Sequence, residues 1–487
     1  MKGAILFHKP VLGALSGILL VSASLAQTPQ PLPPGPPPNP ERPALTPYPS
    51  DEDFSFLEDP ANRTDFWDPL KFIPLGSDPA DFLSLGFEYR SEYEWFHNSL
   101  WGAGPQTRGG YWLQRIIPQA DFRLGPHFRF YLSFQSELER GRNGGPRPMI
   151  DEDDFDPHEA FLDISTDTEA KQSLTLRSGR QELVYGAGRL LDDNEGVNIK
   201  SSFDGIRLIA KNEWARVDAF AVKPTNLNTG ILDDGPSRTQ TLWGVYATLP
   251  FPILANGQAD IYYIGLDTTR ASYENNSGRE IRETNGVRLF NHEAGTPYEG
   301  GFDYNWEFIY QWGSLADNSI NAFGIGTETG YTFNTWLKPR VGLIADAISG
   351  GNNSHPGTLN TFNPLFPRGS YFAYHMALFG PYNLIHVHPA LILNPAQNLV
   401  VQFDWGWFWR ENTRDGLYAP GGALLRSGLT TRARYIGNQG EVIVLWALDA
   451  HTTLSFNVAG FLTGAFLQQT MPGKDIGFMN LGITYRF

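Results

Sequence analysis

The sequence MNLGITYRF, residues 479–487, places Met479, Leu481, Ile483, Tyr485 and Phe487 on one parity and Asn480, Gly482, Thr484 and Arg486 on the other. Successive side chains of a β-strand point to opposite faces, so this stretch reads as a strand with one apolar and one polar face. The same period recurs from residue 80 onward. Leu85, Phe87, Tyr89, Tyr93 and Trp95 alternate with Glu88, Arg90, Glu92 and Glu94; Phe128, Phe130, Leu132, Phe134 and Leu138 alternate with Arg129, Ser133, Gln135, Glu137 and Glu139. Tyr304 to Trp312 and Val401 to Trp409 repeat it, with Glu307 and Asp404 on the polar parity.

A soluble β-sandwich would alternate in the same way, so run length and aromatic content decide. The runs extend over roughly 9 to 13 residues, the length of a tilted membrane-crossing strand, against about 5 to 6 for an ordinary one. Trp95, Trp101, Trp112, Trp312, Trp336 and Trp409 sit at run ends, where interfacial girdles are expected. A last amphipathic strand closing on Phe487 resembles the signal by which the barrel-assembly machinery recognises outer-membrane barrels. The expected fold is therefore all-β: a transmembrane antiparallel barrel of about eighteen strands, with lipid on the apolar face, short periplasmic turns and long extracellular loops. Gly-, Asn- and Asp-rich connections fall near 141–156, 192–201, 230–237, 275–278, 350–370 and 413–422. A barrel of this size is expected to leave an aqueous lumen.

Composition narrows the alternatives. The 487 residues include 13 Trp, 20 Tyr, 33 Phe and 51 Gly with only 18% charged, too aromatic and Gly-rich for a coiled coil or a disordered chain. The absence of cysteine removes disulfide scaffolds, thiol catalysis and Cys-bound metals. A net charge of −15 excludes a globally basic nucleic-acid binder. Residues 1–26 carry Lys2 and Lys9, an apolar run from Val11 to Leu25 and a small residue at Ala26, the plan of a cleaved signal peptide. Cleavage leaves 35 basic against 52 acidic residues. Residues 27–50 form a proline-rich periplasmic tail, with 11 prolines between Thr28 and Pro49, expected to be extended and open to a periplasmic partner. A pre-barrel segment, 51–79, leads into the barrel domain at 80–487.

Parity places Arg90, Arg129, Arg177, Arg207, Arg340, Arg410, Arg432 and Arg434 on the polar face. Each would cost about 2–4 kcal/mol facing mid-membrane lipid, so they belong to the lumen or its rims. Two arrangements are open: a guanidinium track for an anionic solute, or a structural ladder of Arg–carboxylate pairs using Glu88, Glu137, Glu139, Glu307 and Asp404. The i, i+2 pair Arg432 and Arg434 favours the pore role. The acidic run 151–154 with Asp156 could hold Ca²⁺ but lacks EF-hand spacing, which favours a solvated loop. His386 and His388 share one face of a strand and His375 lies near Tyr374; all three read by default as lumenal or interfacial histidines. No cofactor, metal ligand set or catalytic residue is expected, because GxSxG, HExxH and Walker A motifs are absent and no GxGxxG stands in strand–helix context.

Ordered motifs give a further indication. WDPLKFIPL (67–75), LSLGFEYR (83–90), GGPRP (144–148), LRSGRQ (176–181), YGAGR (185–189), SFDG (202–205), FNPLFP (362–367), FWR (408–410), DGLY (415–418) and RYIG (434–437) together resemble the bacterial alginate export outer-membrane proteins. The resemblance implies a gated barrel of about eighteen strands with an arginine-rich electropositive constriction that passes an anionic polyuronate without covalent chemistry. Carried onto this chain, it singles out Arg90, Arg177, Arg180, Arg410, Arg432 and Arg434, with Asp204 and the loop containing Asp151 and Asp153 as ordering or gating elements. Arg180 shares the parity of Leu174 and Leu176, so it should lie at a strand end or rim, or the register should break at Gly179. The proline-rich tail departs from the family pattern.

The expected function is passive, anion-selective translocation of an alginate-like polysaccharide across the outer membrane. A porin for small organic anions is the alternative, ahead of an outer-membrane hydrolase or an envelope-tethering barrel. Expected partners are outer-membrane lipid and lipopolysaccharide, the anionic solute and the assembly machinery; no nucleic acid is expected.

Overall fold

The computed structural model describes residue 42 and residues 45–106, 109–166, 172–254, 256–292, 300–351, 357–373 and 375–487. The leader and most of the proline-rich tail lie outside the described residues. Eighteen long strands form one antiparallel barrel. They are β1 (Phe82–His97), β2 (Tyr111–Leu124), β3 (Phe128–Arg140), β4 (Asp153–Thr166), β5 (Ser173–Gln181), β6 (Phe203–Lys211), β7 (Arg216–Asn226), β8 (Gln240–Pro250) and β9 (Gln258–Ser272). The second half comprises β10 (Ser277–Phe290), β11 (Gly301–Leu315), β12 (Asn318–Thr332), β13 (Arg340–Ile348), β14 (Leu384–Ala396), β15 (Leu399–Arg410), β16 (Tyr435–Ala447), β17 (Thr452–Thr463) and β18 (Ile476–Arg486). Closure is by the strand the sequence singles out: β18 pairs with β1 from Glu88↔Arg486 to His97↔Gly477. No sheet edge is left for lipid to meet.

Alternation sets the two faces. Phe308, Tyr310, Trp312, Phe403, Trp405, Leu481 and Ile483 are exposed outward, as an apolar coat that lipid would cover, while their polar neighbours face inward. Tight turns at 125–127, 212–215, 397–398 and 448–451 lie at one end, and the longest connections, 182–202, 349–383 and 411–434, lie at the other, beside the tight turns 273–276 and 316–317. Trp112 and Trp336 are exposed at opposite ends, as interfacial residues should be. Trp101 is a correction: it is fully buried, packed on Phe379 and Phe461 in the loops' core, because the connection after β1 turns inward.

The lumen also differs from expectation. Residues 182–202, between β5 and β6, and the described residues of 349–383 (349–351, 357–373 and 375–383), between β13 and β14, fold into it. Leu183, Tyr185, Leu191, Phe362, Tyr371 and Phe379 join wall residues such as Tyr246, Tyr262 and Phe408 in one apolar core. The interior is filled because these connections carry enough Leu, Tyr and Phe to bury against the wall, an option that alternation within strands does not reveal. The pre-barrel segment packs against the first and last strands at the short-turn end. Trp67 stacks on Phe487 at 3.9 Å and donates to the Tyr485 hydroxyl at 2.7 Å, while Phe54, Leu57 and Phe72 pack on Phe82.

Candidate functional site

Most of the wall arginines are staples between neighbouring strands. Arg177 donates to both carboxylate oxygens of Asp163 at 2.8 and 2.9 Å. Arg129 holds Asp121 and the Ser50 carbonyl of the pre-barrel segment, Arg207 pairs with Asp218, and Arg340 binds Asp303 and Glu328. Arg288–Asp260 continues the series, whereas Arg282 pairs with Glu280 on its own strand and crosses to Gln311 of β11. Each side chain is buried or nearly so, and each guanidinium faces a carboxylate. Glycines make the room: a Cβ on Gly326 of β12 would sit 2.6 Å from Arg189 Nε.

A second set joins the wall to the inward loops. Arg90 donates to the Glu195 and Val197 carbonyls. Arg115, fully buried, bridges Glu88 on the wall and Glu195 on the loop, at 2.7 Å to the latter. Arg486 reaches the same two carboxylates. Arg189 crosses to Glu307 at 2.9 Å and to the Tyr371 hydroxyl at 2.8 Å. The two inward loops also pair with each other through Asp192 N–H to the Phe366 carbonyl and Phe366 N–H to the Leu190 carbonyl.

These loops meet the pre-barrel segment at Lys200 and Arg368. Lys200 Nζ lies 2.5 Å from Glu182 and 2.9 Å from Asp193, and donates to the Pro47 carbonyl at 2.8 Å. Arg368 binds Asp192 and the Tyr48 hydroxyl. Burial alone would lower the Lys200 ammonium, but Asp193, Glu182 and Glu195 outweigh it and hold it well above the usual lysine range. Burial pushes Glu182 up to about 7 against the pull of Lys200. For Glu195 burial also raises, yet Arg115 wins and keeps its carboxyl below the ordinary value.

The remaining expected residues fall in three places. Arg410 is buried with its guanidinium among the carbonyls of Ala433, Asp415 and Thr431, at 3.1, 2.8 and 3.0 Å, and so organises the connection 411–434. Arg432 and Arg434 are not on a strand face; they precede β16, are exposed, and donate to the Thr413 and Glu411 carbonyls. The hydrogen-bonded ladder of β16 starts only at Tyr435, which removes the parity argument for the pair. Arg180 lies at the loop end of β5 opposite Asp204, bonds it at 3.0 Å, and keeps unbroken register with β4 and β6 through Gly179. Asp151 is clamped by Arg147, Asp404 accepts from Gln402, and Glu137 and Asp153 face each other across β3 and β4. His375 approaches Glu441, whereas His386 and His388 are buried together on β14.

Sequence reasoning missed Arg115, Arg189, Glu195, Lys200 and Arg368. Arg115 shares its parity with Tyr111 and Leu113, so β2 lacks an apolar–polar contrast. The others lie on loops, where no periodicity operates. Arg282 and Arg288 carried a signal, since both sit on the inward parity of β10.

A closed barrel with an apolar outer coat, a charged inner face and inward-folded loops defines an outer-membrane channel. Residues 81–475 match the family model described as alginate export, and the chain belongs to that family. It is a channel and not an enzyme. No curated protein matches it. Among solved structures it is similar to OpdK of Pseudomonas aeruginosa, solved with vanillate, at 10% identity and TM-score 0.55, covering 83% of this chain and 98% of that one. A BenF-like porin from Pseudomonas fluorescens Pf-5 matches with 10% identity, the same two coverages and TM-score 0.55. OccK2 (OpdF) of Pseudomonas aeruginosa, in complex with glucuronate, matches at 9% identity and TM-score 0.53, covering 83% and 96%. At these identities the likeness concerns the fold.

Proposed function

We propose that this channel passes an anionic polysaccharide of the alginate type across the outer membrane, by passive diffusion once its inward loops release. The family match over residues 81–475 carries this reading. The lumenal chemistry supports it. Displacing residues 195–197 would uncover Arg90, Arg115 and Arg486, which the loop's carbonyls and carboxylate now occupy. A polyuronate presents the same groups, a carboxylate and nearby oxygen acceptors, once per sugar. Arg432 and Arg434, exposed at the long-loop end, would add positive charge at the entrance.

A second reading is passage of small organic anions, favoured by the filled lumen and by porin relatives solved with vanillate and with glucuronate. Reconstitution in planar bilayers separates the two. Anion selectivity with current block by polymannuronate is expected for the first reading, and selectivity with block only by monomeric acids for the second. Cation selectivity would refute both. Arg432→Ala with Arg434→Ala should reduce anion preference without unfolding the barrel.

A further inference from the structure

At the long-loop end, β5 leaves the wall after Gln181 for the lumen, and the first residues of β4 lose their neighbour on that side. The connection 227–239 fills the gap. Phe155 N–H donates to the Gly230 carbonyl, Leu232 N–H to the Phe155 carbonyl, and Asp234 N–H to Asp156 Oδ1 at 3.1 Å. This brings a carboxylate from the loop onto two from the strand. Ligand oxygens of Asp153, Asp156 and Asp234 all lie within 4.8 Å of one another, about the span of two oxygens across one Ca²⁺ at 2.4 Å each.

The neighbouring strand supplies an independent observation. Glu137 of β3 is opposite Asp153, and Gln135 is opposite Asp156; the two side chains are 0% and 1% exposed. Both Glu137 oxygens, Gln135 Oε1, both Asp153 oxygens, Asp156 Oδ2 and Asp234 Oδ2 have no hydrogen-bond partner among the described residues. Adjacent acids elsewhere are matched, as Asp151 is by Arg147 and Asp204 by Arg180. Toward this cluster Arg180 donates to the Asp234 main-chain carbonyl, at 3.4 Å, while its guanidinium holds Asp204. Buried carboxylates facing one another without a cation cost several kcal/mol, which a hard divalent ion removes.

We propose that Asp153, Asp156 and Asp234 form a Ca²⁺ site, with Glu137 and Gln135 facing it from the neighbouring strand. The ion staples the connection 227–239 to the wall where β5 departs. A dry, multi-carboxylate shell suits Ca²⁺, which takes 6–8 oxygen ligands in flexible geometry, better than Mg²⁺, which retains water. The site is independent of which solute the channel carries.

The test is calorimetric titration of the detergent-purified full barrel, stripped with chelator, using Ca²⁺ and then Mg²⁺, alongside limited proteolysis of residues 227–239. One Ca²⁺ per barrel is expected, with protection of the loop and Mg²⁺ binding at least about tenfold weaker. Asp234→Asn, which leaves the strands untouched, should weaken Ca²⁺ by about tenfold or more while heat-modifiable migration still reports a folded barrel. Asp153→Asn should do the same. Absence of Ca²⁺ binding, or binding unchanged in a folded Asp234→Asn barrel, would overturn the assignment and leave protonated carboxyl pairs as the explanation.

Discussion

Glu195 is the point at which the inward loop can be loosened without touching the wall. Its Oε1 accepts from Arg115 at 2.7 Å and from Arg486 at 3.2 Å, with Lys200 at 3.7 Å and Arg90 at 4.0 Å completing a ring of four cations. Glu195→Gln retains an acceptor oxygen but removes the charge. The bonds that remain join a charged donor to a neutral acceptor; with about 1–1.5 kcal/mol lost from each when the acceptor's charge goes, the two lose about 2–3 kcal/mol together. Arg115 and Arg486 keep Glu88, and the Glu195 and Val197 carbonyls keep Arg90, which limits the loss to that figure. All of it falls on the closed arrangement, which shifts the closed-to-open ratio by about 30- to 150-fold. Single-channel recordings should show closed dwell times shortened and open probability raised accordingly. Heat-modifiable migration should remain that of wild type, because no wall pair has been broken. Unchanged dwell times in a folded Glu195→Gln barrel would show that residues 195–197 are not part of a gate, and the clamp would have to be read as structural.

Acidity should act on the same loop from another side. Burial lifts Glu182 to about 7 and raises Asp193 in the same direction, so the stability that Glu182 lends to the docked loop is complete below the ordinary carboxyl range and is lost as pH rises through about 7. Open probability should therefore increase from pH 5.5 to about 8, and less so in Glu182→Gln; opening on acidification would contradict this. Arg410→Lys loses the planar fork that serves several carbonyls at once and should destabilise the connection 411–434 by roughly 3 kcal/mol, seen as new protease cleavage there with the strands intact. Gly326→Ala pushes a methyl against Arg189 and should cost about 1–3 kcal/mol in thermal unfolding, with Arg189→Ala abolishing the difference.

The separation in sequence between the partners explains how far the lumen could be read in advance. Arg129 and Asp121 are 8 residues apart, Arg207 and Asp218 are 11, and Arg177 and Asp163 are 14. Antiparallel neighbours joined by short connections bring such residues together, so alternation plus hairpin order is enough to place the guanidinium against its carboxylate. Arg115 and Glu195 are 80 apart, Arg189 and Glu307 are 118, and Arg368 and Asp192 are 176. Nothing in the local pattern of either partner specifies that approach, because it follows from loops turning inward, and that turn is driven by apolar burial distributed over many residues. Trp101 fails as a girdle residue for the same reason, and Arg432 and Arg434 fail as strand residues because the carbonyls around Arg410 draw their segment out of the ladder.

The same separation divides the charges by role. Pairs within a hairpin persist whatever the loops do, since both partners move with the wall. Pairs between wall and loop exist only while the lumen is filled, and their cations become available to a solute when it is not. A permeating anion that competes for Arg90, Arg115 and Arg486 would thus favour the open state by the difference in its affinity for the two arrangements. This has a measurable consequence: in wild type, polyuronate added to the bath should prolong openings as well as block them, whereas in Glu195→Gln, where the loop no longer supplies the competing carboxylate, block should persist and the prolongation shrink. Equal prolongation in both proteins would mean that the solute and the loop do not share those cations.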